Sequence, residues 1–345
     1  MKKLSFAIGF VLVILLVTGC LSKAQTEPAA IVADGAVVTA TGSSSYTLRA
    51  YRPEIHVVFD TKEWQAPHGV SIILTNVAVQ AVSTRGLAPV TVEILSPTSA
   101  RYQFILPPGT TPAVSFVTAT GPAFSFAVFG DNRDGRDVYL SLLDKINALR
   151  PEFAVNGGDL VPAGRAGEYE QFLADSARLT IPYYTALGNH DIQGDGRTLY
   201  NRLLAPNYYD FVWGNSLFLV LDNADGDMDA RQLAWLENKL KERTARHTFI
   251  IMHKPPFDPR PGRSHTVNSR ELADRLQNLA AQYGVTAVFC SHIHMYYQGE
   301  RLGVPYYITG GAGAPLYAAR AAGGVYHFVL VKVNGDVVEI TPVQL

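Results

Sequence analysis

The chain has 345 residues and a formal net charge of −1, and 48% of its residues are hydrophobic while 17% are charged. These values exclude an intrinsically disordered chain and provide no positive field for a polyanion, so nucleic acid is not expected as a partner. The length suits about two domains, each able to bury an apolar core.

The first twenty residues have the pattern of an export signal. A basic start, Met1-Lys2-Lys3, precedes an apolar run over 4–17 that is too short for a stable membrane-spanning helix. The sequence Val17-Thr18-Gly19-Cys20 resembles a bacterial lipobox, which predicts a lipoprotein signal peptide over 1–20 and lipid on Cys20. The mature protein would then be exported and lipid-anchored to a membrane at the bacterial cell envelope. Ordinary cleavage beside an incidental cysteine is the alternative.

Residues 21–120 divide into a polar part and a β-rich part. Positions 21–32 are small and polar, which predicts a flexible tether. Positions 33–120 hold short β-rich runs separated by Gly, Pro, Asn and Ser, and this spacing predicts a small all-β sandwich. The stretch 102–111 resembles the end of fibronectin-like domains, so the expected class is an immunoglobulin- or fibronectin-like sandwich.

From 121 to 345 the pattern changes to strands that alternate with helices. A strand is predicted over 124–129, and apolar residues then recur at helical spacing from Val138 to Leu149. Further helices are predicted over 229–246 and 269–283. The alternation predicts an α/β domain with a buried, largely parallel sheet, and Asn334-Gly335 predicts a hairpin near the end.

Side chains that can bind metal or move protons follow five of the predicted strands. They are Asp131, Asp159, Asn189, His190, Asp191, His253, His292 and His294. Each alone has an ordinary structural explanation, such as an aspartate capping a helix or a histidine on the surface. Their shared position favours one centre instead, because α/β sheets bind ligands at the carboxyl ends of their strands.

The order and spacing of these motifs resemble the calcineurin-like metallophosphoesterase family over roughly residues 123–345. The resemblance implies an αββα sandwich that binds two divalent or trivalent metal ions, drawn from Fe, Mn, Zn or Co. It implies that the shared carboxylate is Asp159, that the first ion also takes Asp131 and His294, and that the second takes Asn189, His253 and His292. It further implies that His190 contacts the phosphoryl group and protonates the leaving group, while Asp191 orients the His190 ring.

One residue departs from the family pattern. The common motif Asp-x-His places a second ligand on the first ion, but this chain has Arg133 at that histidine position. Arginine keeps its charge and cannot bind a cation, so the first site should be weaker than in Asp-x-His relatives or filled by a different ion. Arg133 is suited to gripping a phosphate oxygen of the substrate, or alternatively to a salt bridge with Asp134 or Asp137.

The motifs together predict a metal-dependent phosphoester hydrolase, either a phosphomonoesterase or a phosphodiesterase, that uses a hydroxide activated by two metals. A catalytically weakened binding or structural lipoprotein on the same scaffold is the alternative. The loop over 254–265 is either a specificity loop or an exposed connector. The glycine-rich loop over 310–317 is interpreted as close packing near the metal centre, because no helix is predicted after it.

Overall fold

The computed structural model describes residues 29–345. The predicted signal peptide and Cys20 lie outside the described residues and stay predictions. The predicted tether over 21–32 extends too far, because strand β1 covers Ala30–Asp34 and pairs with β4, Glu54–Asp60. This pairing, and the packing of Ile31 against the core of the β-rich region, hold the end of the supposed tether in a sheet. Among residues 29–345 there is no helix with the length and apolar character needed to span a bilayer.

The β-rich region is a sandwich, as predicted. Its remaining strands are β2 (Ala36–Thr41), β3 (Ser45–Ala50), β5 (His68–Thr75), β6 (Val82–Gly86), β7 (Thr91–Ser96), β8 (Ser99–Leu106) and β9 (Ala113–Thr118). Within the described residues they form one sheet in the order β1-β4-β9-β6 and another in the order β2-β3-β5-β8-β7. Alternate residues such as Val57 and Phe59 of β4 and Ile72 and Leu74 of β5 point inward and form a common core.

The rest of the described chain alternates between strands and helices. The strands are β10 (Ala123–Phe129), β11 (Phe153–Asn156), β12 (Tyr183–Thr185), β13 (Tyr209–Trp213), β14 (Ser216–Val220), β15 (His247–Met252), β16 (Ala287–Cys290), β17 (Tyr296–Arg301), β18 (Val304–Thr309), β19 (His327–Asn334) and β20 (Val337–Gln344). The helices are α1 (Arg136–Leu149), α2 (Ala166–Ser176), α3 (Gly196–Leu203), α4 (Ala230–Glu242) and α5 (Arg270–Gln282). The predicted hairpin is present between β19 and β20, with Gly335 at φ 59°.

Two sheets pack face to face between layers of helix, which confirms the predicted αββα arrangement. Their strand orders are β12-β11-β10-β19-β20 and β13-β14-β15-β16-β18-β17. Aromatic rings fill the space between them. The ring centroid of Phe126 in the first sheet lies 5.0 Å from that of Phe218 and 5.2 Å from that of Phe249 in the second. Helix α1 packs on the first sheet, while α4 and α5 bury Leu236 and Leu276 against the second.

The β-sandwich is joined to the edge of the first of these sheets. The Asn76 amide donates to the Tyr183 carbonyl at 3.0 Å and accepts from the Tyr183 N–H at 2.7 Å, as a neighbouring strand would. The Arg52 guanidinium donates to the Asp210 carbonyl at 2.8 Å. The two Asn76 bonds satisfy backbone groups on the open edge of strand β12, which would otherwise be unpaired. The Arg52 bond instead reaches β13, the edge strand of the second sheet.

Candidate metal centre

The predicted ligands stand on loops that leave the carboxyl ends of neighbouring strands. Strand β10 pairs in parallel with β11, and β15 pairs in parallel with β16. Asp131 and Asp159 follow the first pair, and His253 and His292 follow the second. Because the two sheets face each other, these loops meet at one end of the sandwich.

Three candidate ligand atoms converge on a fourth, the Nε2 atom of His253. This atom lies 3.1 Å from Asn189 Oδ1, 3.2 Å from His292 Nδ1 and 3.3 Å from Asp159 Oδ1. Four ligands arranged tetrahedrally about 2.0–2.1 Å from a Zn²⁺-sized ion would be separated from one another by about 3.3–3.4 Å. The other ring nitrogen of His253 donates to the Gly157 carbonyl at 3.0 Å, which leaves the Nε2 lone pair facing the cluster. The donor set therefore fits a metal ion.

A second group of donors lies beside Asp131. His294 Nε2 is 3.4 Å from Asp131 Oδ1, and His294 Nδ1 donates to the Pro315 carbonyl at 2.7 Å. Asp131 Oδ2 accepts the His292 N–H at 2.7 Å, but the buried Oδ1 atom has no hydrogen-bond partner. A buried carboxylate oxygen without a partner is costly unless it binds a cation. Asp131, Asp159 and His253 each offer an atom within 4.8 Å of the others, so the two groups adjoin.

The backbone is strained at three of these residues. Asp131, Asp159 and His292 have φ values of 59°, 57° and 68°, in the left-handed region that residues other than glycine rarely adopt. Each such residue costs of order 1–3 kcal/mol, and such costs are typical of functional sites.

The glycine-rich loop packs tightly against the centre, which confirms the sequence interpretation. A Cβ atom at Gly310 would lie 2.6 Å from Asp131 Oδ2 and 2.5 Å from the Ile293 carbonyl oxygen. A short 3-10 turn at Arg320–Ala322 follows the loop in the described chain, and no α-helix begins between the loop and β19. The loop therefore acts as a close wall for the first group of donors and does not form a dinucleotide-binding turn.

His190 lies at the edge of the centre, but the prediction for Asp191 was wrong. The Nδ1 atom of His190 donates to the Pro162 carbonyl at 2.6 Å, so Pro162 holds the ring. The His190 Nε2 atom is 4.0 Å from Asp159 Oδ2. The Asp191 carboxylate turns inward instead, away from His190, because it accepts hydrogen bonds from four backbone N–H groups.

These four bonds tie together the loops after β11 and β12. Asp191 Oδ2 accepts from Asp159 N at 2.9 Å and from Gly188 N at 2.7 Å. Asp191 Oδ1 accepts from Leu160 N at 2.8 Å and from Val161 N at 3.0 Å. Burial and the charge of Asp159 raise the pKa of Asp191, and the backbone donors oppose that rise. Asp191 therefore positions Asp159.

Arg133 contacts both a predicted ligand and a surface carboxylate. Its Nε atom donates to Asp159 Oδ2 at 3.1 Å, and its Nη1 atom pairs with Asp134. Of the two salt bridges that the sequence suggested for Arg133, the one to Asp134 is present. Among the ion pairs of residues 29–345, Arg133 does not pair with Asp137. The guanidinium therefore lies beside the carboxylate of a predicted ligand, Asp159.

The charges of the ligands follow from this packing. Burial acts to raise the pKa of Asp159, but His253, the His190 N–H and Arg133 outweigh it and lower the pKa to about 2. Burial and His253 lower the pKa of His292 to about 2, so this ring is neutral and its lone pair is available. Burial opposes a charge on His294, yet the Asp131 carboxylate, whose Oδ1 lies 3.4 Å from His294 Nε2, raises the pKa of His294.

Sequence reasoning missed two side chains that support the centre. The Tyr317 ring stacks on the His294 ring with centroids 3.9 Å apart, and the backbone N–H of Tyr317 donates to the His294 carbonyl at 3.0 Å. Asn223 Oδ1 accepts the N–H groups of His253 and Lys254 at 3.1 and 3.0 Å. Asn223 comes just after the end of β14, so the strand-end rule that found the other residues would have found it too.

The loop over 254–265 returns to the mouth of the centre. Asp258 accepts two bonds from the Arg260 side chain, at 2.9 and 2.7 Å, and the His265 N–H at 3.0 Å. The His265 ring then lies 5.8 Å from the His292 ring and 5.6 Å from the Tyr317 ring. Of the two interpretations left open, this position favours the specificity loop.

The comparisons with known proteins agree with this geometry. The model of the calcineurin-like phosphoesterase family matches residues 124–296, half of the chain. The 3',5'-cyclic adenosine monophosphate phosphodiesterase CpdA of Escherichia coli K12 is 28% identical over 170 residues, which cover 45% of this chain and 60% of that protein. The probable glycerophosphodiester phosphodiesterase GpdQ of Arcobacter nitrofigilis is 25% identical over 170 residues, covering 43% and 59%.

A solved structure agrees in fold. The purple acid phosphatase PPD1 from yellow lupin has a TM-score of 0.57 and 13% identity, and the match covers 90% of this chain and 72% of that one. The chain spans about three fifths of the length of the curated relatives it matches.

Proposed function

The chain belongs to the calcineurin-like phosphoesterase family, and from that premise we propose that it is a metal-dependent phosphoester hydrolase with two ions in its centre. The observation that carries the proposal is the convergence of four side chains. Asn189 Oδ1, His292 Nδ1 and Asp159 Oδ1 lie 3.1–3.3 Å from the Nε2 atom of His253. Asp131 and His294, with the second oxygen of Asp159, would hold the other ion. Fe, Mn, Zn and Co all suit such a mixture of ligands.

Two ions held there would supply an activated water as the nucleophile and would neutralise the phosphoryl oxygens during displacement. His190 is proposed to protonate the leaving group. The bond from Nδ1 to the Pro162 carbonyl supports this role, because it fixes the ring and directs Nε2 towards the centre. The partly exposed position of His190 leaves room for an ester group beside it.

Arg133 is proposed to bind a phosphoryl oxygen of the substrate. Its contact with Asp159 supports this assignment, because the same guanidinium can exchange the carboxylate for a phosphate oxygen once the carboxylate binds the ions. Arg133→Ala should therefore raise KM by about tenfold or more, the effect of losing a hydrogen bond to a charged group, while metal content stays constant. The control is Arg178→Ala, whose guanidinium is half exposed and makes a long ion pair with Asp144. An unchanged KM in Arg133→Ala would contradict the assignment.

The proposed function is tested by the dependence of hydrolysis on metal. Full-length protein treated with a chelator should lose activity on aryl phosphate monoesters and diesters, and adding back Mn, Zn, Co or Fe should restore it. Reconstituted protein that binds metal and hydrolyses none of these esters would support the alternative, a binding or structural protein on a phosphoesterase scaffold. The substrates of the relatives, cyclic nucleotides and glycerophosphodiesters, belong in the same panel.

A further inference from the structure

Tyr317 lies directly on one of the candidate ligands. Its ring is parallel to the His294 ring within 20°, with centroids 3.9 Å apart, and the residue is still 42% exposed. The backbone N–H of Tyr317 donates to the His294 carbonyl at 3.0 Å, and the carbonyl of Pro315, two residues earlier, accepts from His294 Nδ1 at 2.7 Å. Tyr317 is therefore fixed relative to a side chain that would hold the ion beside Asp131.

The loop over 254–265 holds the Tyr317 ring from other directions. The Arg260 guanidinium lies over the ring, 5.4 Å from its centroid, and the His265 ring meets it nearly edge-on at 5.6 Å. Asp258, whose side chain is only 1% exposed, accepts two bonds from the Arg260 side chain and the backbone N–H groups of Arg260 and His265. The charge of Arg260 is thus already paired, and its contribution is to fix the orientation of the Tyr317 ring.

The Tyr317 hydroxyl makes no hydrogen bond within residues 29–345. Burial raises the pKa of this hydroxyl, Arg133 opposes the rise, and Asp131 and Asp159 add to it. The hydroxyl is therefore a neutral proton donor, and the charges that act on it belong to the metal centre or border it. The stacking of the ring on His294, whose Nε2 lies 3.4 Å from Asp131 Oδ1, places it on the same side.

A phosphoryl group in transfer spreads its charge over three equatorial oxygens, and donors already aimed at those oxygens stabilise the displacement. We propose that the Tyr317 hydroxyl donates a hydrogen bond to a phosphoryl oxygen of the substrate, on the side of the ion beside Asp131 and His294. This inference rests on the proposed function and adds a substrate-binding residue to it. Tyr317 and Arg133 are then two donors to the phosphoryl group, and the ring packing holds the first of them ready.

Tyr317→Phe tests the proposal, because it removes the hydroxyl and keeps the ring on His294. The matched control is Tyr208→Phe. The Tyr208 ring packs on Trp235 of α4 with centroids 5.0 Å apart, and its hydroxyl also makes no hydrogen bond within the described residues. The probe is inorganic phosphate, titrated by calorimetry into full-length protein reconstituted with Mn or Zn, because its binding requires no turnover.

Phosphate should bind Tyr317→Phe about 10–100-fold more weakly than it binds the wild type or Tyr208→Phe, the effect of losing a hydrogen bond to a charged group. The value of kcat/KM for aryl phosphates should fall by a similar factor. Metal content and melting temperature should match those of the control, because the ring packing is unchanged. Equal phosphate affinity in the two variants, or no phosphate binding to the wild type, would overturn the proposal.

Phosphate binding also separates this proposal from the proposed function. Weaker phosphate binding by Tyr317→Phe in a protein that hydrolyses no ester would leave the contact standing while the proposed function fails. Ester hydrolysis by the wild type with unchanged phosphate affinity in Tyr317→Phe would have the opposite meaning. Metal loss in Tyr317→Phe, or a visible tyrosinate-to-iron absorption band in the Fe(III)-loaded wild type that the variant lacks, would make the hydroxyl a metal ligand and overturn the proposal.

Discussion

Replacing Asp191 with asparagine should lower the free energy of unfolding by about 2–4 kcal/mol and weaken metal binding by about 10–100-fold. The carboxylate accepts four buried backbone N–H groups, and the variant places an NH₂ group against two of them. A buried donor without an acceptor costs about 1–3 kcal/mol. Metal affinity falls because the Asp159 N–H is one of these four donors, so the variant no longer holds Asp159 in place. Loss of a residue that supports a metal ligand typically lowers metal affinity by about 10–100-fold.

The control is Asp195→Asn, an exposed aspartate in the next turn whose side chain makes no capping bond. Chemical denaturation of the metal-free proteins and metal titration by calorimetry give the two quantities separately. If Asp191→Asn matched Asp195→Asn in both, the carboxylate would not position the loops, and the role assigned to it from the geometry would be wrong.

Replacing His190 with alanine should lower kcat by about 10²–10⁴-fold, the range for loss of a general acid. The loss should be smallest on esters whose leaving group is already stable as an anion, such as 4-nitrophenol, because they need no proton. Metal content should stay the same, since His190 Nε2 lies 4.0 Å from the nearest Asp159 oxygen and its other nitrogen is bonded to Pro162.

Steady-state kinetics on a series of aryl phosphates of graded leaving-group pKa provide the measurement. His56→Ala is the matched control, because this exposed histidine bonds to Ser115 in the β-sandwich. A uniform loss across the series would mean that His190 binds phosphate without donating a proton. Loss of metal in His190→Ala would make His190 a ligand.

Much of the fold follows from local sequence pattern. Strand β10 and helices α1, α4 and α5 lie within a few residues of their predicted bounds, because apolar periodicity and caps such as Asp229 and Ser269 are local signals. The position of the candidate ligands follows from one topological rule, that sites form at the carboxyl ends of strands, and their assignment to two ions followed from the family resemblance.

The direction of single side chains was harder to predict. The motif Asn189-His190-Asp191 gave no sign that the Asp191 carboxylate would turn towards Leu160 and Val161, because those donors lie some thirty residues earlier in the chain. Tyr317 stacks on His294 only because a hairpin and a glycine-rich loop return it to the centre. The first three residues of strand β1 fall within the predicted tether, because the polar composition of 21–32 gives no sign of pairing with β4, which is distant in sequence.

The most direct test of the central claim is anomalous X-ray scattering from crystals of the full chain reconstituted with Mn or Zn. The account predicts two peaks about 3.5–4 Å apart, the separation of a two-metal site, on either side of the Asp159 carboxylate. One peak should lie among Asn189, His253 and His292, and the other beside Asp131 and His294. A single peak, or two peaks that do not share Asp159, would contradict it.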